Sequence, residues 1–449
     1  MHRMIAIRRE DKNEWERRAP LTPDAVKELA NNYDITFHIQ PSTGRVFSDE
    51  AFNRAGAVIK EDLSNCPIVI GIKEMPPAFF LPEKTYVFFS HTTKGQPHNM
   101  PMLKRLIELK CTLIDYELIT DENGKRLVFF SFHAGLAGMV SGLWALGQRL
   151  KQEGISTPLQ EIRQAKDYSS LKDAKAVIAR VGKKIAQNGL PPQLSPMVIG
   201  FSGYGNVSHS AQEIFDALPH KTIKPEELAS LTNADNHILY KVVFKEQHMV
   251  ESVDQGQPFS LQNYYDYPEK YRSIFNRYLP HLTYLVNCIF WTPDYPRLIT
   301  KDDIKKLYCS PHPKLRGIAD ISCDIEGSIE CLVKCTDPAN PTYTYLPDKD
   351  TITDGFSPAG PVILAVDTLP AEIPLESSTY FSSVLKDFIP KLASCDFSKE
   401  YDRLSLTAPL KKALILHKGK LTPKYQHMKN YVVRTSRQQR RKRKRPVNL

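Results

Sequence analysis

Residues 196–218 read PMVIGFSGYGNVSHSAQEIFDAL, an apolar run that passes through two closely spaced glycines into a segment of helical spacing. The run PMVIGFSG has the composition of a strand buried on both faces. Gly203, Tyr204, Gly205, Asn206, Val207 and Ser208 follow a G-x-G-x-x-G pattern, with Ser208 in place of the third glycine. With a strand running in and a helix from about Ser208 to Ala217 running out, the glycines would let the backbone approach a pyrophosphate, and the helix N-terminus would supply amide donors. A tight strand-to-helix turn that binds nothing is the other reading of the same residues.

In such a unit an acidic residue about 20 residues further on usually takes the adenosine ribose of NAD. Here that place falls at Ile223 to Pro225, and Lys224 stands there. An ammonium meets a 2′-phosphate better than a 2′-hydroxyl, so Lys224 points to NADPH, although Glu226 and Glu227 follow closely and could serve a ribose. Beyond them lies a long irregular segment rich in tyrosine, then the strand TYLVNCIFW and the run RGIADISCDIEGSIE. The latter ends in Asp320, Ser322 and Asp324, carboxylates suited to a ribose, a ligand amine or a metal. Without further ligands close by in sequence, a metal is discounted.

Towards the N-terminus, strand and helix signals alternate, as in βαβ units with a parallel sheet. Strands are expected at Met4–Ile7, Ile35–Ile39, Pro67–Ile72, Tyr86–Phe89 and Cys111–Asp115, and a helix capped by Thr22 at about Pro23–Asn31. The stretch YVFFSHTTKGQ (86–96) leaves a buried strand for a loop carrying an imidazole, an ammonium and an amide. Loops at the carboxyl ends of parallel strands are where open α/β folds place ligands. Small residues recur in FHAGLAGMVSGLWALGQRL at Ala134, Gly135, Ala137, Gly138 and Gly142, so this helix should pack closely on something.

At 449 residues, 41% hydrophobic and 24% charged, the chain suits two domains, and no apolar run reaches the roughly 18 residues that span a bilayer. The N-terminus shows no secretory or organellar presequence, which gives a cytoplasmic expectation. The net charge of +10 is concentrated at Arg434, Arg437, Arg440, Arg441, Lys442, Arg443, Lys444 and Arg445, leaving the rest of the chain nearly balanced. That tail, 431–449, reads as disordered, with an import signal or a nucleic-acid contact as its conceivable role. Eight cysteines are scattered without ligand spacing and read as reduced and mostly buried.

Four strand-end loops carry ligand-like groups: Arg17 and Arg18, Lys73 and Glu74, His91 with Lys94 and Gln96, and Asp320 with Asp324. The first three make a cationic pocket for an anionic, polycarboxylate substrate, with His91 as acid or base. These residues alone describe a nicotinamide-dependent reductase of carboxylate-bearing substrates.

The series RRAPLTP, GIKEMP, FFSHTTKGQ, FHAGLAGM, FSGYGNVSHSAQ and DISCDIEGSIE resembles the alanine dehydrogenase and transhydrogenase-like superfamily. Within it, the likeness is to the lysine:2-oxoglutarate reductase half of bifunctional aminoadipic semialdehyde synthases, over about Met4 to Tyr431. The resemblance implies an α/β fold of two Rossmann-like domains with parallel sheets and an interdomain cleft. The substrate domain would be 1–138 plus 345–430, and the dinucleotide domain 139–344. It implies condensation of L-lysine with 2-oxoglutarate and reduction of the imine by NADPH to saccharopine.

Lys73 and His91 would then transfer protons, and Arg18 would hold a substrate carboxylate with Lys94, Gln96 and Arg126 nearby. Gly203, Gly205, Asn206 and Val207 would cradle the pyrophosphate, and Lys224 the adenosine ribose. Asp320 and Asp324 would border the nicotinamide and the ligand amine. His209 and Ser210 stand where the resemblance has a basic residue and a glycine. The dehydrogenase half is not in this sequence, so a separate saccharopine dehydrogenase is a conceivable partner. Competing readings are an NAD-dependent, lysine-forming saccharopine dehydrogenase and a non-catalytic binding protein with a basic tail.

Overall fold

The computed structural model describes residues 3–432 apart from 233 and 255, so the expected behaviour of the basic tail falls almost wholly outside the described residues. The chain divides into two compact units, Met1–Phe130 with Pro374–Leu449, and Ser131–Ile373.

The first unit opens with strands β1 (Arg3–Ile7), β2 (Ile35–Ile39), β3 (Val58–Ile59), β4 (Ile68–Ile70), β5 (Thr85–Phe88) and β6 (Thr112–Asp115). All pair in parallel in the order β6-β5-β4-β1-β2-β3. Their apolar runs are buried because helices cover parallel sheets. Helix α1 (Pro23–Tyr33) starts as expected: the Thr22 hydroxyl accepts the Ala25 N–H, proline occupies the first turn, and Asp34 ends the helix in the left-handed region. Helices α2 (Asp49–Arg54) and α3 (Met100–Glu108) follow.

The second unit begins with α4 (Ser131–Gln152) and α5 (Leu171–Asn188), then β7 (Val198–Ser202), α6 (Asn206–Phe215), β8 (His220–Ile223) and β9 (Leu239–Phe244). A two-stranded ribbon, β10 (Val250–Ser252) and β11 (Tyr271–Ser273), interrupts it. Strands β12 (Tyr284–Asn287), β13 (Gly317–Asp320), β14 (Thr342–Leu346), β15 (Thr351–Asp354) and β16 (Val362–Leu364) complete a sheet of order β15-β14-β16-β13-β12-β7-β9-β8. The chain then returns through the helix Pro374–Leu385 to add β17 (Leu414–His417) and β18 (Lys420–Leu421) antiparallel beside β6.

The fold is therefore α/β with two mainly parallel eight-stranded sheets. The return to the first unit comes at Pro374 and not at about 345, because β14 to β16 belong to the second sheet. Likewise α4 lies wholly in the second unit, so the first part of the first unit ends at Phe130 and not at 138.

The small residues of α4 have a steric cause. A Cβ on Gly135 would lie 2.1 Å from both Ser210 Oγ and the Val207 carbonyl oxygen, so α6 packs directly on α4 backbone. Ser210 fits by turning its hydroxyl to donate to the Asn206 and Val207 carbonyls, 3.0 Å each.

At the end of this unit Glu372 is buried. Ser141 Oγ donates to one carboxylate oxygen at 2.9 Å. Burial pushes Glu372 up to about 7, against a partial offset from the Ser141 bond. Between its ordinary value and about 7 the folded state holds a proton that the unfolded state has lost, so stability falls as pH rises through that window. The difference corresponds to about 3 kcal/mol. Urea unfolding of Glu372→Gln should therefore show a smaller loss of stability from pH 5 to pH 8 than the parent protein, and equal slopes would contradict this assignment.

Candidate functional site

Parallel pairing aligns the carboxyl ends of β1, β4, β5 and β6, with Ile7 opposite Ile70, Ile70 opposite Val87, and Phe88 opposite Asp115. The loops leaving that edge carry Glu10, Glu16 and Arg18, then Lys73 and Glu74, then Ser90 and His91. Glu10 spans two of them by accepting the Ile72 and Lys73 amides at 2.7 and 2.9 Å. Burial, with Glu16 nearby, pushes Glu10 up to about 7.

Arg18 and Glu16, 3% and 5% exposed, form a bidentate pair at 2.7 and 2.5 Å, and the guanidinium lies 4.2 Å from the Phe130 ring centre. Burial alone would raise Glu16, but the charge and hydrogen bonds of Arg18, with Lys73, bring it below the ordinary value.

Lys73 is partly buried, and among the described residues its Nζ makes no ion pair or hydrogen bond. Burial and the like charge of Arg18 lower its pKa, while Glu16 pulls the other way. Burying an ammonium without a partner favours its neutral form. Beside it, His91 Nδ1 meets Glu74 Oε1 at 2.6 Å, and Lys12 Nζ meets the other oxygen at 3.0 Å. These bonds hold Glu74 below the carboxylate range despite its burial. His91 has a positive φ of 47°, its carbonyl accepts from Asn99, and its ring stacks on Phe89. Beneath it, Asp115, raised by burial to about 6, accepts from the Ser90 amide and hydroxyl.

The structure thus brings Arg18, Lys73 and His91 to one edge, but the expected cationic pocket is a mixed one. Glu10, Glu16 and Glu74 interleave with the cations, since buried like charges need partners. Lys94 is exposed on the His91 loop, and Gln96 Oε1 is buried without a partner among the described residues. Arg126 is exposed on the hairpin after β6 and pairs with Glu117, not with the Lys73 and His91 group.

In the second unit, Gly203 has φ of 85°, and its N–H donates to the Phe244 carbonyl at 2.9 Å. Gly205 precedes α6, no side chain caps that helix, and a Cβ on Gly205 would meet nothing within 4 Å. Open first-turn amides of Asn206 and Val207 beside an unfilled space fit a pyrophosphate. Next to the turn, Ser202 Oγ donates to Asn287 Oδ1 at 2.6 Å, and Asn287 Nδ2 donates to Asp320 Oδ1 at 2.9 Å. Asp320 also accepts from the Ser322 and Cys323 amides. Among the described residues its buried Oδ2 has no partner, and burial pushes the group up to about 7. Such an orphan acceptor fits a ligand hydroxyl or amide at this strand edge. Asp324 is exposed on the following loop.

Lys224 does not leave the strand beside β7. It follows β8, but β8 is the outermost strand and pairs only with β9; the strand beside β7 is β9. The residue leaving the neighbouring strand is Lys245, whose Nζ lies 5.6 Å from the Tyr204 ring centre at the glycine turn. Glu246 follows it. Counting residues pointed to the wrong strand because β8 occupies an extra place at the edge. Asn287, the last residue of the apolar run TYLVN, is the other group the sequence reading passed over.

Among the described residues no helix is long and apolar enough to cross a membrane, and no group of three or more His, Cys, Asp or Glu could hold a metal.

Residues 6–137 match the family model described as "Alanine dehydrogenase/PNT, N-terminal domain". An L-alanine dehydrogenase structure superposes with a TM-score of 0.61 at 16% identity, covering 96% of this chain and 99% of that one. A transhydrogenase from Sinorhizobium meliloti gives 0.56 at 12%, covering 94% and 100%. The chain has the two-sheet Rossmann-like architecture of alanine dehydrogenases and transhydrogenases.

Within that class its sequence resembles the alpha-aminoadipic semialdehyde synthases. It is 38% identical over 443 residues to that of Arabidopsis thaliana, covering 95% of this chain and 41% of that protein. It is 35% identical over 442 residues to the mitochondrial one of Bos taurus, covering 95% and 47%. The chain spans less than half the length of these relatives. A saccharopine dehydrogenase (NAD(+), L-lysine-forming) of Candida glabrata is 27% identical over 391 residues, covering 84% and 88%.

Proposed function

We propose that this chain is an oxidoreductase that condenses L-lysine with 2-oxoglutarate and reduces the product, with NADPH, to saccharopine, a step in lysine degradation. The observation that carries this reading is the partly buried Lys73, unpaired among the described residues, between the Glu16–Arg18 pair and the Glu74–His91 pair. The likeness to aminoadipic semialdehyde synthases supports the choice of substrates.

The ε-amine of lysine, neutral, attacks the keto carbon of 2-oxoglutarate, and loss of water leaves an imine. Lys73, its pKa lowered by burial and by the like charge of Arg18, takes the proton released on attack. His91, oriented by Glu74, donates to the departing hydroxyl. Arg18, fixed by Glu16 and Phe130, offers its remaining N–H groups to a substrate carboxylate, and Gln96 and Lys94 extend the same edge. Arg126, tied to Glu117, takes a peripheral part at most.

A bound nicotinamide nucleotide would supply the hydride that reduces the imine carbon. On the protein side, Gly203, Gly205, Asn206 and Val207 would hold its pyrophosphate through backbone N–H groups. Asp320 would accept from the nicotinamide end through Oδ2, Asp324 would serve a ligand amine, and Lys245, in place of Lys224, would meet a 2′-phosphate.

The direct test follows absorbance of the reduced nucleotide with lysine and 2-oxoglutarate together and with each omitted. Oxidation is expected only with both. Lys245→Glu should weaken NADPH about 10- to 100-fold, with NADH changed less, as expected for exchanging an attractive charge for a repulsive one; equal weakening of both nucleotides would remove Lys245 from this role. A second reading, an NAD-dependent lysine-forming dehydrogenase, is favoured by one observation: Glu246, adjacent to Lys245, has the chemistry of a ribose-binding carboxylate.

A further inference from the structure

The tyrosine-rich segment between β9 and β12 has no part in the chemistry above, yet it reaches the glycine turn. Tyr265, on the helix Leu261–Asp266 between the two ribbon strands, is 47% exposed, and its hydroxyl donates to Glu246 Oε1 at 2.9 Å. Tyr204, between the two turn glycines, is 39% exposed and belongs to the same cluster. Burial, the Glu246 charge and a hydrogen bond to Glu246 raise its phenol, against a bond to Tyr265 that lowers it. Lys245 Nζ stands over the Tyr204 ring, and among the described residues it pairs with no carboxylate. The Lys245 amide donates to His248 Nδ1 at 3.0 Å, and His248 Nε2 lies 3.5 Å from Glu226, so the neighbouring acid and imidazole are engaged with each other.

Two residues of opposite charge therefore leave the strand beside the nucleotide turn, and only one of them is committed. A free carboxylate there would accept hydrogen bonds from the 2′- and 3′-hydroxyls of an unphosphorylated ribose and repel a 2′-phosphate. We propose that Tyr265, with Tyr204, is a positioning residue for cofactor choice: the two phenols hold the Glu246 carboxylate in place, so that the adenosine ribose meets Lys245 and a 2′-phosphorylated dinucleotide is preferred. The proposal rests on the reading of the glycine turn as a nucleotide site. The insert is then a specificity element that acts by withdrawing a carboxylate from the ribose.

The test is the ratio of NADPH to NADH affinity, measured by nucleotide fluorescence on the full chain and on Tyr265→Phe, Glu246→Gln and the double variant. Tyr265→Phe keeps the ring and frees one oxygen of Glu246. The NADPH:NADH ratio should fall about tenfold, the equivalent of one net hydrogen bond. Glu246→Gln should hold or raise the ratio, and in its background Tyr265→Phe should no longer change it.

Equal weakening of both nucleotides by Tyr265→Phe would make the tyrosine a mere tether for the insert and overturn the proposal. So would an effect that persists in the Glu246→Gln background. A parent protein that binds NADPH, with a ratio unmoved by Tyr265→Phe, defeats the proposal alone. A folded parent protein that binds neither nucleotide defeats the cofactor reading together with it.

Discussion

Lys73→Met and His91→Asn should each lower turnover about 10²- to 10⁴-fold, the usual size of a lost general acid or base, while NADPH affinity stays unchanged. The reason is local. Both side chains leave the carboxyl edge of the first sheet, and the nucleotide turn is built from β7 and α6 of the second unit. Methionine keeps most of the lysine volume, so the Glu16–Arg18 pair beside it should survive and the protein should fold.

The pH profile gives a finer check. Burial and Arg18 lower the Lys73 pKa, so its neutral form appears at lower pH than for a free lysine, and the rate should rise with pH along that lowered limb. Glu16, ahead of Glu74, opposes this lowering. Glu16→Gln removes the opposition and should move the limb to still lower pH, whereas a limb that moves upward or stays would mean that Lys73 is not the titrating base. Loss of NADPH binding in Lys73→Met would point to a structural defect and remove the catalytic assignment.

The second large effect is steric. Gly135→Val should strongly destabilise the second unit, because even the first added carbon would sit 2.1 Å from Ser210 Oγ and from the Val207 backbone oxygen. A backbone atom at the start of α6 cannot swing aside as a long side chain can, and overpacking of this kind costs about 1–3 kcal/mol or more. Gly142 on the same helix gives the contrast. Its added carbon would meet the Ala319 methyl at 3.3 Å, so Gly142→Ala should be nearly tolerated. Urea unfolding of the two variants should rank them in that order by several kcal/mol, and a native-like Gly135→Val that binds nucleotide would show that α4 and α6 are not in this close contact.

The same helix shows what a sequence can disclose. Recurrent small residues in a helical stretch need a close neighbour, and α6 is that neighbour. The strand running into Gly203 and the strand running out to His91 were equally readable, since unbroken apolar runs followed by polar loops describe buried parallel strands and their carboxyl ends.

What the sequence withheld was lateral order. Lys224 stands at the expected distance after the glycine turn, but β9 lies between its strand and β7, and pairing order leaves no mark on residue spacing. For the same reason the return of the chain was placed at about 345: TYTYL does not reveal that it pairs antiparallel with Val362–Leu364 in the second sheet. Partnership was hidden as well. Arg18 and Lys73 read as a cationic pocket because the burial that brings Glu10, Glu16 and Glu74 among them arises only from three loops meeting at one edge.

The measurement that bears most directly on the proposed chemistry is the mass of the product formed from lysine, 2-oxoglutarate and NADPH carrying deuterium at the transferable position. Reductive condensation predicts one product containing both carbon skeletons less one oxygen atom, with a single deuterium on the former keto carbon, and none when either substrate is omitted. A deuterated 2-hydroxy acid from 2-oxoglutarate alone, or oxidation of NADPH without a joined product, would contradict it.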